Sequence, residues 1–513
     1  MEGNEKQKKI KKDNGATRIV KVEVVKEFCQ KQFGPFKGGH FFILGIIVII
    51  LIIGLALNKN SVSKGEYPEY SMVYQNADGE LKVIAKNQKD GIKISSDSET
   101  RDVIYANKTN RYILFEKNNS LYLYDSKKKD DTTKILSDAV GAYFTPNDKY
   151  VVALDTEGHM YSYNYKKDKE KLDSDVTSIK DCTDTKVLYV KDGSLYIRSL
   201  NAKKDDKVKI EDSGVFYASI SEDGKRVVYI TEKDKDLKYY IIGNGKNDKI
   251  DSDVVEYYCD TTCKHMYYVT NDSESKLYYY NGKEGEKVAS DVYEIVDVDV
   301  LNKQVVYAKE DDKEFTLYYK KAVKGDEVKI DDSLEKLTSA YIYNGKGIYY
   351  INDDSELKYA KINGSKIGDV KTVVEDAIDG IIAYKKGIIL VADTDKRSNG
   401  DLYFVSGSKG KKVDSDVYSS YLKVSINGNR VFYLKDYSSN SGDLYTTTGG
   451  KGKKIDSDVY RYVYVNDKTV YYLKDFSSSK KYGDMYLYNG SKGKKVVEDV
   501  TSMATNKNYY KVK

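Results

Sequence analysis

The sequence predicts an all-β protein of tandem β-propellers, built from about eleven 40-residue four-stranded repeats and preceded by one transmembrane helix. Three observations predict this. Of 513 residues, 51 are Tyr, none is Trp and three are Pro, and Tyr at such density favours strands. A short acidic phrase returns throughout the chain at intervals of about 40 residues, the spacing of a multi-strand blade. Residues 41–57 (FFILGIIVIILIIGLAL) hold no charged or polar side chain, as a membrane span requires.

Taken in chain order, residues 1–40 form a basic segment with ten Lys or Arg against five acidic residues. Within it the run Ile19 to Phe28 reads as a short juxtamembrane helix whose Lys side chains meet anionic lipid. The apolar stretch 41–57 is expected to stay as an anchor. A signal peptide rarely carries so long a leader, and Ala56-Leu57-Asn58-Lys59 is a poor cleavage site. The basic bias before the span, against Lys59 and Lys64 after it, places the N-terminus in the cytoplasm. After a linker, 58–65, everything that follows is then extracellular, and the protein is single-pass.

From residue 66 onward the chain repeats one unit. Lys453-Lys454-Ile455-Asp456-Ser457-Asp458-Val459-Tyr460 echoes Lys411-Lys412-Val413-Asp414-Ser415-Asp416-Val417-Tyr418. Marked by its last acidic residue, the phrase recurs at Asp97, Asp138, Asp175, Asp212, Asp253, Asp291, Asp332, Asp376, Asp416, Asp458 and Asp499. Helical repeats of similar length would need a 3.6-residue apolar period, which is missing. One unit illustrates the grammar. Val215–Ile220 alternates, Ser221 to Lys225 turns, and Arg226–Thr231 reads as a buried strand. Leu237 to Ile242 follows as a third strand, and a Gly-rich turn precedes a fourth around Asp248 to Asp251. Such a sheet buries both faces against its neighbours, so apolar residues and Tyr fill the inner strands and charge moves to the turns.

Eleven units exceed the four to eight blades of a usual ring. Two propellers are therefore expected, at 66–303 and 304–513, divided where the spacing between Asp332 and Asp376 is longest and the repeat beginning near Gln304 is irregular. The final segments Ser502-Met503-Ala504 and Tyr509 to Val512 read as opening strands that complete a blade begun elsewhere.

The segment Ser219 to Tyr229 resembles the strand-turn-strand repeat of TolB-like bacterial propellers. Ile348-Tyr349-Tyr350-Ile351-Asn352-Asp353, followed by Leu357-Lys358-Tyr359, resembles the lipoprotein-receptor type of repeat in membrane-anchored proteins of Gram-positive bacteria. The resemblance spans most of 66–513 and implies a binding or scaffolding role in a cell envelope. Where receptor-type repeats carry Trp this chain has none, so that family's ligand-binding residues do not transfer.

Few residues suggest chemistry. Residues 41–513 carry 75 charges of each sign, which argues against nucleic acid as a partner. Asp-Ser-Asp followed by Val offers too few oxygens for a calcium site; these side chains are expected to bond backbone N–H groups at a strand corner. The loop Asp393 to Asp401 comes nearer, but Lys396 and Arg397 interrupt it. Cys259 and Cys263 straddle a hairpin turn and are candidates for a disulfide, with His265 nearby; Cys29 lies on the cytoplasmic side. No Gly-x-Ser-x-Gly, His-Glu-x-x-His or phosphate loop is present, so no catalytic residue, metal or cofactor is expected. The function predicted is a membrane-anchored extracytoplasmic module that binds a protein or a cell-wall polymer at the cell membrane. Envelope carbohydrate binding and a sensor ectodomain are the alternatives, and a cell-wall hydrolase is a more remote one.

Overall fold

The computed structural model describes residues 71–504, apart from short stretches within loops, together with two short N-terminal strands. The chain divides into two compact units, Met1–Glu66 and Tyr67–Lys513. In the first, Lys9–Lys11 pairs antiparallel with Thr17–Ile19. The expected anchor 41–57 and linker 58–65 lie outside the described residues, as does the expected helix beyond Ile19. Among the described residues no helix is long and apolar enough to cross a membrane.

The second unit is all-β, a succession of antiparallel meanders. Four strands run in order in the sheets at 103–137, 139–173, 176–211, 215–251, 254–290 and 294–334; these are sheets 2 to 7. Sheet 8 (340–374) follows the same plan with a split fourth strand. Sheets 9, 10 and 11 share their border strands: Lys409–Tyr418 and Lys453–Asn466 each close one sheet and open the next. Sheet 1 has only Ser71–Asn76, Leu81–Ala85 and Ile92–Ser95 from its own region. Its first strand comes from the end of Lys494–Met503, with Tyr74 opposite Met503 and Gln75 opposite Ser502. Ser502-Met503 thus completes a blade begun over 400 residues earlier, as expected; Tyr509 to Val512 lie outside the described residues.

Burial explains the pattern. The second strand of each sheet is covered on both faces, so it reads as a continuous apolar run, such as Val227–Ile230, Met266–Val269 or Val431–Leu434, all buried. Between one sheet and the next lies an apolar cluster. Such clusters join sheet 1 to 2 around Val73 and Ile113 and continue through every neighbouring pair. The last joins sheet 11 back to sheet 1, packing Tyr471 and Met485 on Met72 and Tyr74. The order of packing therefore returns to its start. The division expected at residue 303 does not coincide with a break: Lys303 sits in the turn between the paired strands Glu294–Asp299 and Gln304–Asp311. The cluster there runs from Tyr267 to Ala322 without interruption.

The second Asp of the repeated phrase has a backbone role. Asp138, Asp175, Asp253, Asp291, Asp376, Asp416, Asp458 and Asp499 all have φ between 49° and 58°, where Asp is tolerated far better than a β-branched residue. Asp458→Ile is expected to cost about 1–2 kcal/mol while Asp458→Gly is neutral or better, a contrast that thermal denaturation of the two variants measures.

Candidate functional site

In sheets 2 to 9 the first strand has a partner on one side only, and neighbouring first strands meet. Carboxylates span the gap. Asp181 in sheet 4 accepts the Ile220 N–H of sheet 5 at 2.9 Å, and Asp297 in sheet 7 accepts the Ile342 N–H of sheet 8 at 2.6 Å. Between sheets 5 and 6, Ser219 and Tyr257 share a 2.9 Å hydroxyl contact. The two carboxylate bonds occupy edge N–H groups that would otherwise recruit another strand. Burial raises the pKa of Asp181 and of Glu256 and pushes Asp297 up to about 6, against the lowering effect of its Ile342 and Val298 backbone hydrogen bonds.

Several first strands also bulge at the same place. The residue two after the marker Asp drops out of register in several sheets: Val140, Thr177, Val255, Tyr460 and Thr501. Phe216 is the equivalent in sheet 5, where Gly214 is inserted. Tyr293 and Tyr418 hold the corresponding positions in sheets 7 and 10. A bulge re-aims its side chain out of the ladder, and what happens to that side chain differs among sheets. Where it is Thr, its hydroxyl turns back on the second strand: Thr177 donates to the Val190 carbonyl and Thr501 to that of Gln75. Where it is aromatic and the second hairpin is long, a ring meets it, covering Tyr418 and Tyr460 but leaving Tyr293 exposed. Tyr437 stacks on Tyr418 at 4.1 Å, Phe476 on Tyr460 at 3.8 Å, and Phe315 meets Tyr293 edge-on at 5.1 Å. Val140, Phe216 and Val255 remain exposed.

The Asp-Ser-Asp phrase holds neighbouring sheets together. Its first Asp accepts the next backbone N–H, as expected, for instance Ser174 to Asp173 and Ser457 to Asp456, each at 2.9 Å. The sequence reading missed that the same carboxylate also receives a buried Tyr hydroxyl and a Lys from the following sheet. Tyr433 and Lys435 both reach Asp414 at 2.6 Å. Tyr472 and Lys474 reach Asp456 at 2.7 and 2.8 Å, and Tyr189 and Lys191 reach Asp173 at 2.6 and 3.2 Å. Burial would raise the Asp173 pKa, but the Tyr189 hydroxyl, the Ser174 N–H, Lys191 and Lys207 together hold it at about 2. Gly452 and Gly493 lie directly over the hydroxyls of Tyr433 and Tyr472, where a Cβ would collide.

Where one member of this latch is lost, the others change with it. Between sheets 8 and 9 the three positions are Val374, Leu390 and Ala392, packed in one cluster. At sheet 7 the acceptor position is Ala289, and Tyr307 and Lys309 turn instead to Glu327, at 2.7 and 2.9 Å. At sheet 2 Phe115 replaces the Tyr and Ser95 the Asp, and Lys117 pairs with Asp97. A recurring Tyr and Asp about 18 residues apart was the signal available in the sequence; that the two bridge different sheets is a tertiary fact.

The structure brings Cys259 and Cys263 together, sulfur to sulfur 3.3 Å, as free thiols. His265 is held by Asp260 at 2.9 Å, which also organises the turn through Thr262 and Lys264. In the loop Asp393 to Asp401, Asp395 accepts the N–H groups of Arg397 and Asn399, and Asp401 pairs with Lys412. Among the described residues no group of three or more His, Cys, Asp or Glu is placed to hold a metal ion.

No family model matches the chain, and no curated protein matches it. Among solved structures, a eukaryotic initiation factor is 11% identical with TM-score 0.42, over 85% of this chain and 99% of that one. The tricorn protease is 12% identical with TM-score 0.31, over 76% and 48%. Hsv2 of Kluyveromyces lactis is 12% identical with TM-score 0.29, over 51% and 95%. Similarity at this level carries no functional assignment.

Proposed function

We propose that the chain is a binding or scaffold module whose eleven sheets form one β-propeller-like ring, displayed from a membrane by residues 41–57 on the extracytoplasmic side. The observation that supports the ring is the cyclic order of packing, closed by residues 500–503 on Ser71–Asn76. A rigid frame of this kind suits presentation of side chains from the convergent first strands, where Tyr143, Phe216, Tyr217 and Tyr258 stand exposed. The Cys259–Cys263 pair is proposed to close as a disulfide under oxidising conditions, its sulfurs already adjacent. Non-reducing peptide mapping is expected to recover the two cysteines joined after oxidation.

Two measurements test the reading. Negative-stain images of the full chain in detergent are expected to show a single ring; two discs per molecule would overturn the single-ring reading. Crosslinking of the full chain in native envelopes, followed by mass spectrometry, is expected to place a protein partner on the first strands. Retained wall polymer in place of protein would support the carbohydrate-binding alternative.

A further inference from the structure

Two long hairpins of this protein show what covers an aromatic residue at this position. In sheets 10 and 11 the second strands, Val431–Ser438 and Thr469–Ser477, extend to eight and nine residues. Each carries near its end an aromatic ring that lies parallel on the bulged Tyr, at an interplanar angle of 6° in both cases. In sheet 7 the strands Gln304–Asp311 and Glu314–Lys321 are eight residues each, but Phe315 only meets Tyr293 edge-on and leaves it 53% exposed. In sheets 5 and 6 the second strands are only six residues. There Phe216 is 53% exposed and its neighbour Tyr217 62%, with Val255 and Tyr258 exposed on the next first strand. A phenyl ring turned into solvent from a bulge is a costly choice when the chain uses Thr at equivalent places in sheets 1 and 4.

We propose that the first strands of sheets 5 and 6 dock a polypeptide that presents an aromatic side chain from a β-hairpin, supplying from outside the cover that the protein builds for itself in sheets 10 and 11. The inference rests on the binding-module reading and gives it a partner class. The backbone here is already engaged: Asp181 holds the Ile220 N–H and Lys180 donates to the Phe216 carbonyl. Recognition therefore runs through side chains, with the aromatic ring as anchor, and not through addition of a strand to the edge. Val255, exposed at the bulge of the next first strand, adds an aliphatic surface, which suits an aromatic side chain better than a sugar ring that needs a flat platform.

The test uses the full chain and a cyclised peptide copying this protein's own covering hairpin, residues 433–446, with Tyr437→Trp. Because the protein has no Trp, indole fluorescence reports the peptide alone. Saturable binding with a blue shift is expected, weakened tenfold or more in the double variant Phe216→Thr/Val255→Thr. That variant copies the residues of sheets 1 and 4 and is expected to retain the wild-type melting temperature. Absence of peptide binding, or binding unchanged in the variant, overturns the proposal. So does a wild-type dimer in sedimentation that the variant dissolves, since the occupant is then a second copy of this chain. Failure here leaves the scaffold reading to the envelope crosslinking, which a protein partner on the first strands of any other sheet would still satisfy.

Discussion

Asp414→Ala is expected to destabilise the protein by about 3–5 kcal/mol, whereas the triple variant Asp414→Val/Tyr433→Leu/Lys435→Ala is expected to lose only about 1–2 kcal/mol. The single change strands the buried Tyr433 hydroxyl and the Lys435 ammonium, both bonded to Asp414 at 2.6 Å, at a site where the side chains of Lys435 and Asp414 are each 14% exposed. Removing one partner from such a site leaves the desolvation cost of the others uncompensated, while replacing all of them by apolar groups does not. The chain contains its own precedent, since Val374 of sheet 8 and Leu390 and Ala392 of sheet 9 stand at these places and pack together. The residual loss in the triple variant comes from the volume of the missing ring. Urea denaturation followed by circular dichroism, with hydrogen exchange localised to sheets 9 and 10, gives both values. A triple variant no more stable than the single one would show that the latch acts through shape and not through its polar bonds.

Asp297→Asn is expected to flatten the pH dependence of stability between pH 4 and 6. In the folded protein, burial holds this carboxyl at about 6, above the ordinary 3.8. The folded state therefore takes up a proton in a window where the unfolded chain does not, and stability falls as pH rises through it. A shift of about two units corresponds to roughly 3 kcal/mol. Asp299 adds repulsion in the same direction, and Asp181 and Glu256, also raised by burial, contribute with the same sign in both proteins, so they cancel in the comparison. Because Asp297 accepts from Val298 and Ile342 through different oxygens, the amide keeps only one of these bonds. The gain at pH 7 is accordingly smaller than the full 3 kcal/mol. Denaturation midpoints of wild type and variant at pH 4, 5, 6 and 7 are the measurement; parallel curves would assign the pH dependence to other groups.

The strands were legible because their burial leaves a sequence signature. For sheet 5, the first two strands expected, Val215–Ile220 and Arg226–Thr231, are those observed, and the other two differ by one residue at an end. The bulge was not read from the sequence, and nothing local distinguishes the covered Tyr460 from the uncovered Phe216. That difference depends on hairpin length and on where Phe476 comes to lie. The pairing of Tyr433 with Asp414 was equally hidden, because the two residues belong to different sheets.

What the sequence determined by itself is the repeat: an alternating first strand, an apolar second, charged turns, and an Asp that marks the corner of each unit. Each follows from forces acting within about 40 residues, namely strand burial, turn chemistry and backbone sterics. The tertiary structure alone decided how many units pack in one series, where the series closes, and which side chains stay uncovered. A four-stranded sheet specifies that it needs a neighbour on each face, but near-identical sheets offer near-identical faces. The count and the closure are thus settled only when Ser502 and Met503 reach the open edge at Tyr74 and Gln75.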